Sequence, residues 1–501
     1  MKFKILGAAV VIAAAAGISY KMMMPNLQKK NPDAGLTIDE VKARDNNAKE
    51  NWAYSLGVQA YIYGLPLKVF ERERRLRLNE RKLNFVMERE ICPCAPINQF
   101  GHMNKLATSD DELPYTPNND TIYSGILLEL KEEPIIVTLP TVTDRYWSAQ
   151  IADAYLENLP YLGTRASNGK GGNYMFVGPY WKGDVPADVQ LRRMPTNSGV
   201  IALRYGVMKE LEGDVQTVLD IQKQVYTTSL SNWGKPNGFG KVNAVSMSRK
   251  KYEGDLAFFE QMADLLNENP PRTQALRDSV GMFQTIGIEL GKPWQGHKLD
   301  PAIKAGLKRA LGDVKDIMTW KVKYRGTAYE TRWNNLHEGT YGFHFINRAE
   351  GALEGLLVHD REEGVYFSTY EDGTGELLDG SEQYVLHFEK DEIPPLQNMG
   401  FWSLTMYGTN FQLVDNEIDR FSIGDRTPGL KYNQDGSLTI YIQNTPPKGH
   451  ESNWLPSPPD GLFRINYRIY MPDEDTRDPK KLIKHIPGIE KGNIKLASGG
   501  F

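Results

Sequence analysis

Hydrophobic positions along this chain change their spacing three times, and each change predicts a change of element. Thr37-Ile-Asp-Glu40 is a capping-box pattern. Trp52, Leu56, Ala60 and Tyr63 follow it at helical intervals, so a helical section is expected from Thr37 onward. The Arg/Glu-rich run from Glu71 to Arg81 closes that section and reads as a solvated helix face. From Thr121 the apolar residues come in short β-rich runs: Thr121 to Leu130, Pro134 to Leu139, Arg145 to Ala152, Tyr174 to Val177 and Val200 to Tyr205. Glycine and proline punctuate them, as in Gly178-Pro179, which predicts an antiparallel sandwich of roughly 100 residues. The middle of the chain returns to a helical period. Asp214 precedes Val215, Val218, Ile221 and Val225, and the segment Asp255 to Glu268 stops before Pro270-Pro271. Asp300-Pro301 joins an N-cap to a first-turn proline ahead of a helix that runs to about Trp320, and no β-rich run is expected between these helices.

From Tyr341 the pattern is β-rich again. Strands are expected at Gly364 to Tyr370, Tyr384 to Phe388, Phe401 to Met406, Gln412 to Val414, Ser437 to Gln443 and Leu462 to Tyr470. Turn signals such as Gln434-Asp-Gly436 fall between them, so a second sandwich or jelly roll is expected. With 501 residues the chain exceeds what one ordinary core serves. The predicted class is α+β. Residues 1–24 form an N-terminal segment, 25–210 a helical entrance plus the first sandwich, 211–340 a helical middle, 341–475 the second sandwich and 476–501 a tail.

Composition narrows the setting. Hydrophobic residues make up 40% and charged residues 24%, as in a folded globular chain, and the net charge of −4 offers no basic field for nucleic acid. Lys2 and Lys4 precede an uncharged apolar run from Ile5 to Ile18, and Ala14-Ala15-Ala16 supplies a small-residue cleavage site before Gly17. This is the pattern of an export signal, with a retained anchor as the competing reading. The expected location is therefore periplasmic or extracellular, with membrane contact only through that segment. No Cys follows the run, so lipoprotein attachment there is excluded.

Most catalytic signatures are absent. The chain has no G-x-S-x-G, H-E-x-x-H or G-x-G-x-x-G pattern, so neither a metal site nor a cofactor is expected. Cys92-Pro-Cys94 lacks a second ligand pair and reads as two free or weakly paired thiols in a turn. What stands out is polar runs set among aromatic residues. Pro117-Asn-Asn-Asp-Thr-Ile-Tyr-Ser124 gathers two amides, a carboxylate and hydroxyls at the start of a strand, and Asp144-Arg-Tyr-Trp147 and Asp153 follow. In the C-terminal half Phe401-Trp-Ser-Leu-Thr-Met-Tyr407, Asn416 to Arg420 and Asn453-Trp-Leu-Pro456 repeat the combination. Amides and guanidinium groups beside indole and phenol rings suit a sugar or a small anion. The same residues also suit a structural role: Asp120 with Arg145 as a buried ion pair, Asn118 and Asn119 as turn caps, Trp402 and Trp454 as core.

Pro117 to Ser124, Arg145-Tyr146 and Gly178-Pro179 resemble the module known as domain of unknown function 1254. Phe401-Trp-Ser-Leu-Thr405, Arg420-Phe-Ser-Ile-Gly424, Asp435-Gly-Ser437, Asn453 to Pro456 and Arg468-Ile-Tyr470 resemble its usual companion, domain of unknown function 1214. The resemblance implies an N-terminal Ig-like β-sandwich, a central helical region, a C-terminal jelly-roll-like β-sandwich and an exported bacterial protein. It implies no activity. Two functions are expected from the residues. In the first, a cofactor-free hydrolase or lyase acts on a carbohydrate or small anionic metabolite. Asp120 is then its general acid or base, Arg145 sets the charge of Asp120 or holds the substrate, and Asp153 is the second carboxylate. Asn118, Asn119, Tyr123, Tyr146, Trp402, Arg420 and Trp454 would bind the substrate. In the second, the same residues serve a non-catalytic envelope module that binds a glycan or a protein.

Overall fold

The computed structural model describes residues 33–88, 92–111, 116–245, 247, 250–323, 326–335 and 337–492. The N-terminal apolar segment and its Ala16 cleavage site lie outside the described residues, as does the end of the tail.

The capping box forms. The Thr37 hydroxyl accepts from the Glu40 amide at 3.3 Å, Glu40 accepts from the Thr37 amide at 2.8 Å, and the helix Ile38–Arg77 follows. It packs along the helix Pro301–Lys323, which Asp300 caps by accepting from the Ala302 amide at 2.8 Å. Gly306 permits that closeness: a Cβ there would stand 2.2 Å from the Glu50 carbonyl oxygen. The charged run at the helix end is solvated only in part: Arg72, Glu80 and Arg81 are exposed. Arg74 and Glu71 are buried, and the Arg74 guanidinium reaches Glu71 at 2.6 Å, Glu129 at 3.1 Å and Glu268 at 2.7 Å. A strand end and a second helix end deliver their carboxylates to the same arginine, which joins three elements.

The N-terminal module has two sheets. Five antiparallel strands run in the order Gly101–His102, Thr121–Glu129, Ser198–Gly206, Trp147–Asp153, Asn158–Gly163. Opposite lies a four-stranded sheet in the order Gln190–Arg193, Gly172–Val177, Ile135–Leu139, Tyr226–Ser229, whose first pair is parallel. Their shared core takes alternate residues, such as Ile122, Ile126 and Leu128 from one sheet and Ile135, Val137 and Leu139 from the other. Tyr226–Ser229 departs from the expected unbroken helical middle. It pairs with Ile135–Thr138 and so separates the helix Asp214–Gln222 from the helices that follow.

The C-terminal module repeats the scheme. Six antiparallel strands run Thr327–Ala328, Asn334–Asn335, Gly364–Thr369, Phe463–Pro472, Leu396–Gly408, Ser422–Gly424. They face Trp454–Pro456, Leu438–Gln443, Tyr384–Phe388, Glu490–Lys491 across a core of Phe367, Leu386, Trp402, Leu404, Ile440 and Ile465. Gln412 to Val414 makes one bridge, Leu413 to Tyr407, rather than the expected strand. The architecture is α+β. Among the described residues no helix is long and apolar enough to cross a membrane.

Candidate functional site between the two modules

Strand alternation turns one face of each large sheet toward its own core and the other toward the neighbouring module. In the first sheet Tyr123, Arg204 and Ser148 are register partners on that second face. In the C-terminal sheet Tyr366, Arg468 and Ser403 are likewise side by side. The sequence 464–470 alternates polar and apolar without a break: Arg464, Asn466, Arg468 and Tyr470 face outward while Ile465, Tyr467 and Ile469 enter the core. The two outward faces meet around a cavity of about 640 Å³. Leu127, Val200, Leu356, Leu357 and Val358 give it apolar walls. The helix Phe345–Glu354, the last turns of Ile38–Arg77 and the Cys92–Cys94 turn complete the enclosure.

One end of the cavity is polar, and its hydrogen bonds have a fixed direction. Arg204 lies over the Tyr123 ring at 5.2 Å and gives one guanidinium nitrogen to Gln150 at 2.6 Å and to His359 Nε2 at 2.8 Å. A guanidinium can only donate, so Nε2 accepts and the proton of the neutral ring sits on Nδ1. Nδ1 lies 2.6 Å from the Tyr366 hydroxyl and therefore donates to it. Burial, and after it the charges of Arg204 and Arg165, hold the His359 pKa well below the usual value, which keeps the ring neutral. The Asn118 carbonyl accepts from the Asp120 amide at 2.6 Å, so its amide nitrogen donates to the Tyr470 hydroxyl at 2.6 Å. The Tyr366 and Tyr470 rings meet edge to face, with centroids 5.8 Å apart. Both hydroxyl oxygens thus already accept, and their own hydroxyl protons are left to donate elsewhere. Arg468 donates to Thr405 and Tyr407, both at 2.8 Å. Among the described residues no carboxylate stands within ion-pair distance of Arg204 or Arg468, both of which are more than nine-tenths buried.

Of the ten residues expected to form a site, Asn118 and Tyr123 line this cavity. Asp120 is 3% exposed and lies behind it, bonded to Lys209 at 3.1 Å, to Ser403 and to Ser422. Arg145 does not pair with Asp120. Its partner is Asp214 at 2.8 Å, because the turn after Gly206 brings that carboxylate over the strand start. Asp153 is level with Gly199 and Leu128, eight residues along the strand from Asp120, which separates the two carboxylates by roughly 26 Å. That is far outside the span of a glycosidase pair. Asp153 instead accepts from the amides of Tyr155 and Glu157, and burial raises its pKa to about 6.

The other expected residues are accounted for by packing. Asn119 donates to the Ala107 carbonyl at 2.6 Å and accepts from Lys209. Tyr146 donates to Glu363 at 3.2 Å and stacks between the modules against Phe401 and Tyr470. Trp402 packs in the C-terminal core on Phe388 and Tyr467. Arg420 donates to the carbonyls of Glu451 and Trp454, and the Trp454 indole to that of Gln443. Cys92 and Cys94 do form a turn, with the Cys94 amide on the Cys92 carbonyl at 2.8 Å. They are bonded to each other rather than free. Sequence reasoning missed Arg204, His359, Tyr366 and Arg468. The strict alternation of 464–470 could have found Arg468. His359 sits in a loop with no motif around it.

Residues 363–474 match the model described as Protein of unknown function (DUF1214), and residues 97–229 match Protein of unknown function (DUF1254). No curated protein matches the chain. Among solved structures, a protein from Vibrio parahaemolyticus is similar over 88% of this chain and 100% of its own, at 24% identity and a TM-score of 0.62, which shows a shared fold. An uncharacterized protein from Burkholderia cenocepacia aligns over 88% of this chain and 98% of its own, at 12% identity and a TM-score of 0.40. The chain therefore carries a DUF1254 region followed by a DUF1214 region, in the expected order.

Proposed function

We propose that this protein binds a small amphipathic anion, a carboxylate or phosphate monoester with an apolar body, in the cavity between its modules. The observation that carries this reading is the polar end. Two buried guanidinium groups and the hydroxyls of Tyr366 and Tyr470 converge there, with no carboxylate within ion-pair distance of either guanidinium among the described residues. Guanidinium groups whose acceptors are all neutral are completed by a ligand that brings negative charge. The apolar walls and a volume of about 640 Å³ suit a small molecule.

Binding is favoured over catalysis because no group at the polar end titrates near neutral pH. Burial raises the Tyr366 and Tyr470 pKa values well above the ordinary phenol value and keeps both protonated, while His359 stays neutral. A general acid or base works best with a pKa close to the operating pH. The reading as a hydrolase or lyase on a carbohydrate rests on Asp120 and Asp153, which lie roughly 26 Å apart by strand rise and outside the cavity. The Lys2-to-Ala16 pattern supports a place in the cell envelope for this binding role. The pairing of sheets supports an Ig-like N-terminal and a jelly-roll-like C-terminal sandwich.

A thermal-shift series with alkyl carboxylates and alkyl phosphates of rising chain length tests the proposal. Stabilisation should grow with chain length and vanish in Arg204→Met. Equal shifts in both proteins, or a response to neutral sugars alone, would overturn it.

A further inference from the structure

We infer that Cys92-Pro93-Cys94 is a thiol–disulfide exchange site on the cavity wall, with low-molecular-weight thiols as its reductants. The two cysteines are bonded to each other with Cα atoms 5.2 Å apart, inside the range a disulfide requires, and all three residues line the cavity. The seat is built for them. Gly125 and Gly101 of the adjacent strands leave room where a Cβ would come within 2.9 Å of the Pro93 carbonyl oxygen and 2.3 Å of the Cys94 carbonyl carbon. Backbone therefore lies directly on the sheet, and Pro93 limits how far the turn can relax. A bond between residues two apart closes a small ring, and constrained disulfides facing open space are the labile ones.

The two sulfurs are not equivalent. Cys94 is 6% exposed and its Sγ lies 3.7 Å from an Arg77 guanidinium nitrogen, whereas Cys92 is half-buried. A cation beside a sulfur stabilises the thiolate and makes it the better leaving group. An incoming thiolate attacks Cys92 Sγ, the Cys92–Cys94 bond breaks, and Cys94 departs as a thiolate beside Arg77. A second thiolate attacks the bound thiol's sulfur in the mixed disulfide, releasing the oxidised dimer and leaving Cys92 as the second thiolate. Two electrons pass from two small thiols to the protein, whose cysteines take up the two protons. Reaction with an oxidised small-molecule disulfide reverses both steps.

The test uses the folded full chain in buffers of reduced and oxidised glutathione, quenched with an alkylating reagent and weighed intact. Two alkyl groups should appear at millimolar reduced glutathione without denaturant. Cys94→Ser should hold one glutathione on Cys92. Arg77→Met should slow reduction about threefold, the change that one unit of leaving-thiol pKa makes at a Brønsted coefficient near 0.5. A pair that resists glutathione until the protein is denatured overturns the proposal, and this wild-type measurement depends on no variant folding. Reduction of Arg77→Met at the wild-type rate, with its melting profile unchanged, overturns the assignment of Cys94 as the leaving sulfur.

Discussion

Asp120 shows how far one residue's role depends on what surrounds it. Burial alone would raise its pKa. Lys209, Arg426, the Ser403 hydroxyl and Arg468 outweigh that penalty and hold it at about 2. The folded value lies below the unfolded one near 3.8, so the ionised carboxylate stabilises the protein above that pH. The contribution disappears as pH falls from 3.8 toward 2. Asp120→Asn should leave the half-buried Lys209 without its ion partner and cost about 2–4 kcal/mol in urea unfolding at pH 7. It should also flatten the acid limb of stability. A loss under about 1 kcal/mol would mean that solvent reaches Lys209. The cluster Asn118-Asn-Asp120 was legible in the sequence as polar and unusual. Its partners Tyr470, Lys209 and Ser403 were not, because they are 89 to 352 positions away.

At the scale of elements, period and punctuation located the strands well. Tyr384–Phe388 falls where the alternation places it, and Thr121–Glu129 ends one residue short of the expected Leu130. Short pieces such as Tyr226–Ser229 and Ser422–Gly424 escaped because strands of three or four residues show too little alternation to stand out. The charged helix end was misread in part, for a different reason. Its composition is that of a solvated face, but the packing of three elements buries Glu71 and Arg74. The two readings differ measurably. A solvated arginine replaced by methionine changes stability by about 0.5 kcal/mol or less. Arg74→Met should cost about 3–5 kcal/mol, since Glu71, Glu129 and Glu268 would lose their shared partner.

In the whole molecule the modules share a boundary that joins apolar clusters, such as Tyr146 with Phe401 and Tyr470, to buried polar bonds. Tyr146 and Arg165 of the first module meet Glu363 of the second, Lys209 meets Ser422, and Tyr407 donates to the Pro117 carbonyl. These buried groups satisfy one another only while both modules are docked. Calorimetry should therefore show one transition for the described body, and two separated peaks would show that the modules fold independently. His359 adds a pH signature. Its folded pKa is depressed by burial and then by Arg204 and Arg165, so it stabilises the protein above the unfolded value near 6.5. Stability should fall as the pH drops below 6.5, and His359→Gln should remove that slope.

The pattern of this chain by itself determined the long helices, such as Ile38–Arg77, and the longer strands, such as Thr121–Glu129 and Tyr384–Phe388. Those features depend on local spacing, which a chain states directly. Tertiary structure alone decided that the polar face of the C-terminal sheet meets another sheet instead of water. It also decided that Arg204, Tyr366 and Arg468 converge on one cavity, with His359 bonded to the first two from behind. Strand alternation specifies which way a side chain points but not what it points at, and the docking of two modules supplies that second fact.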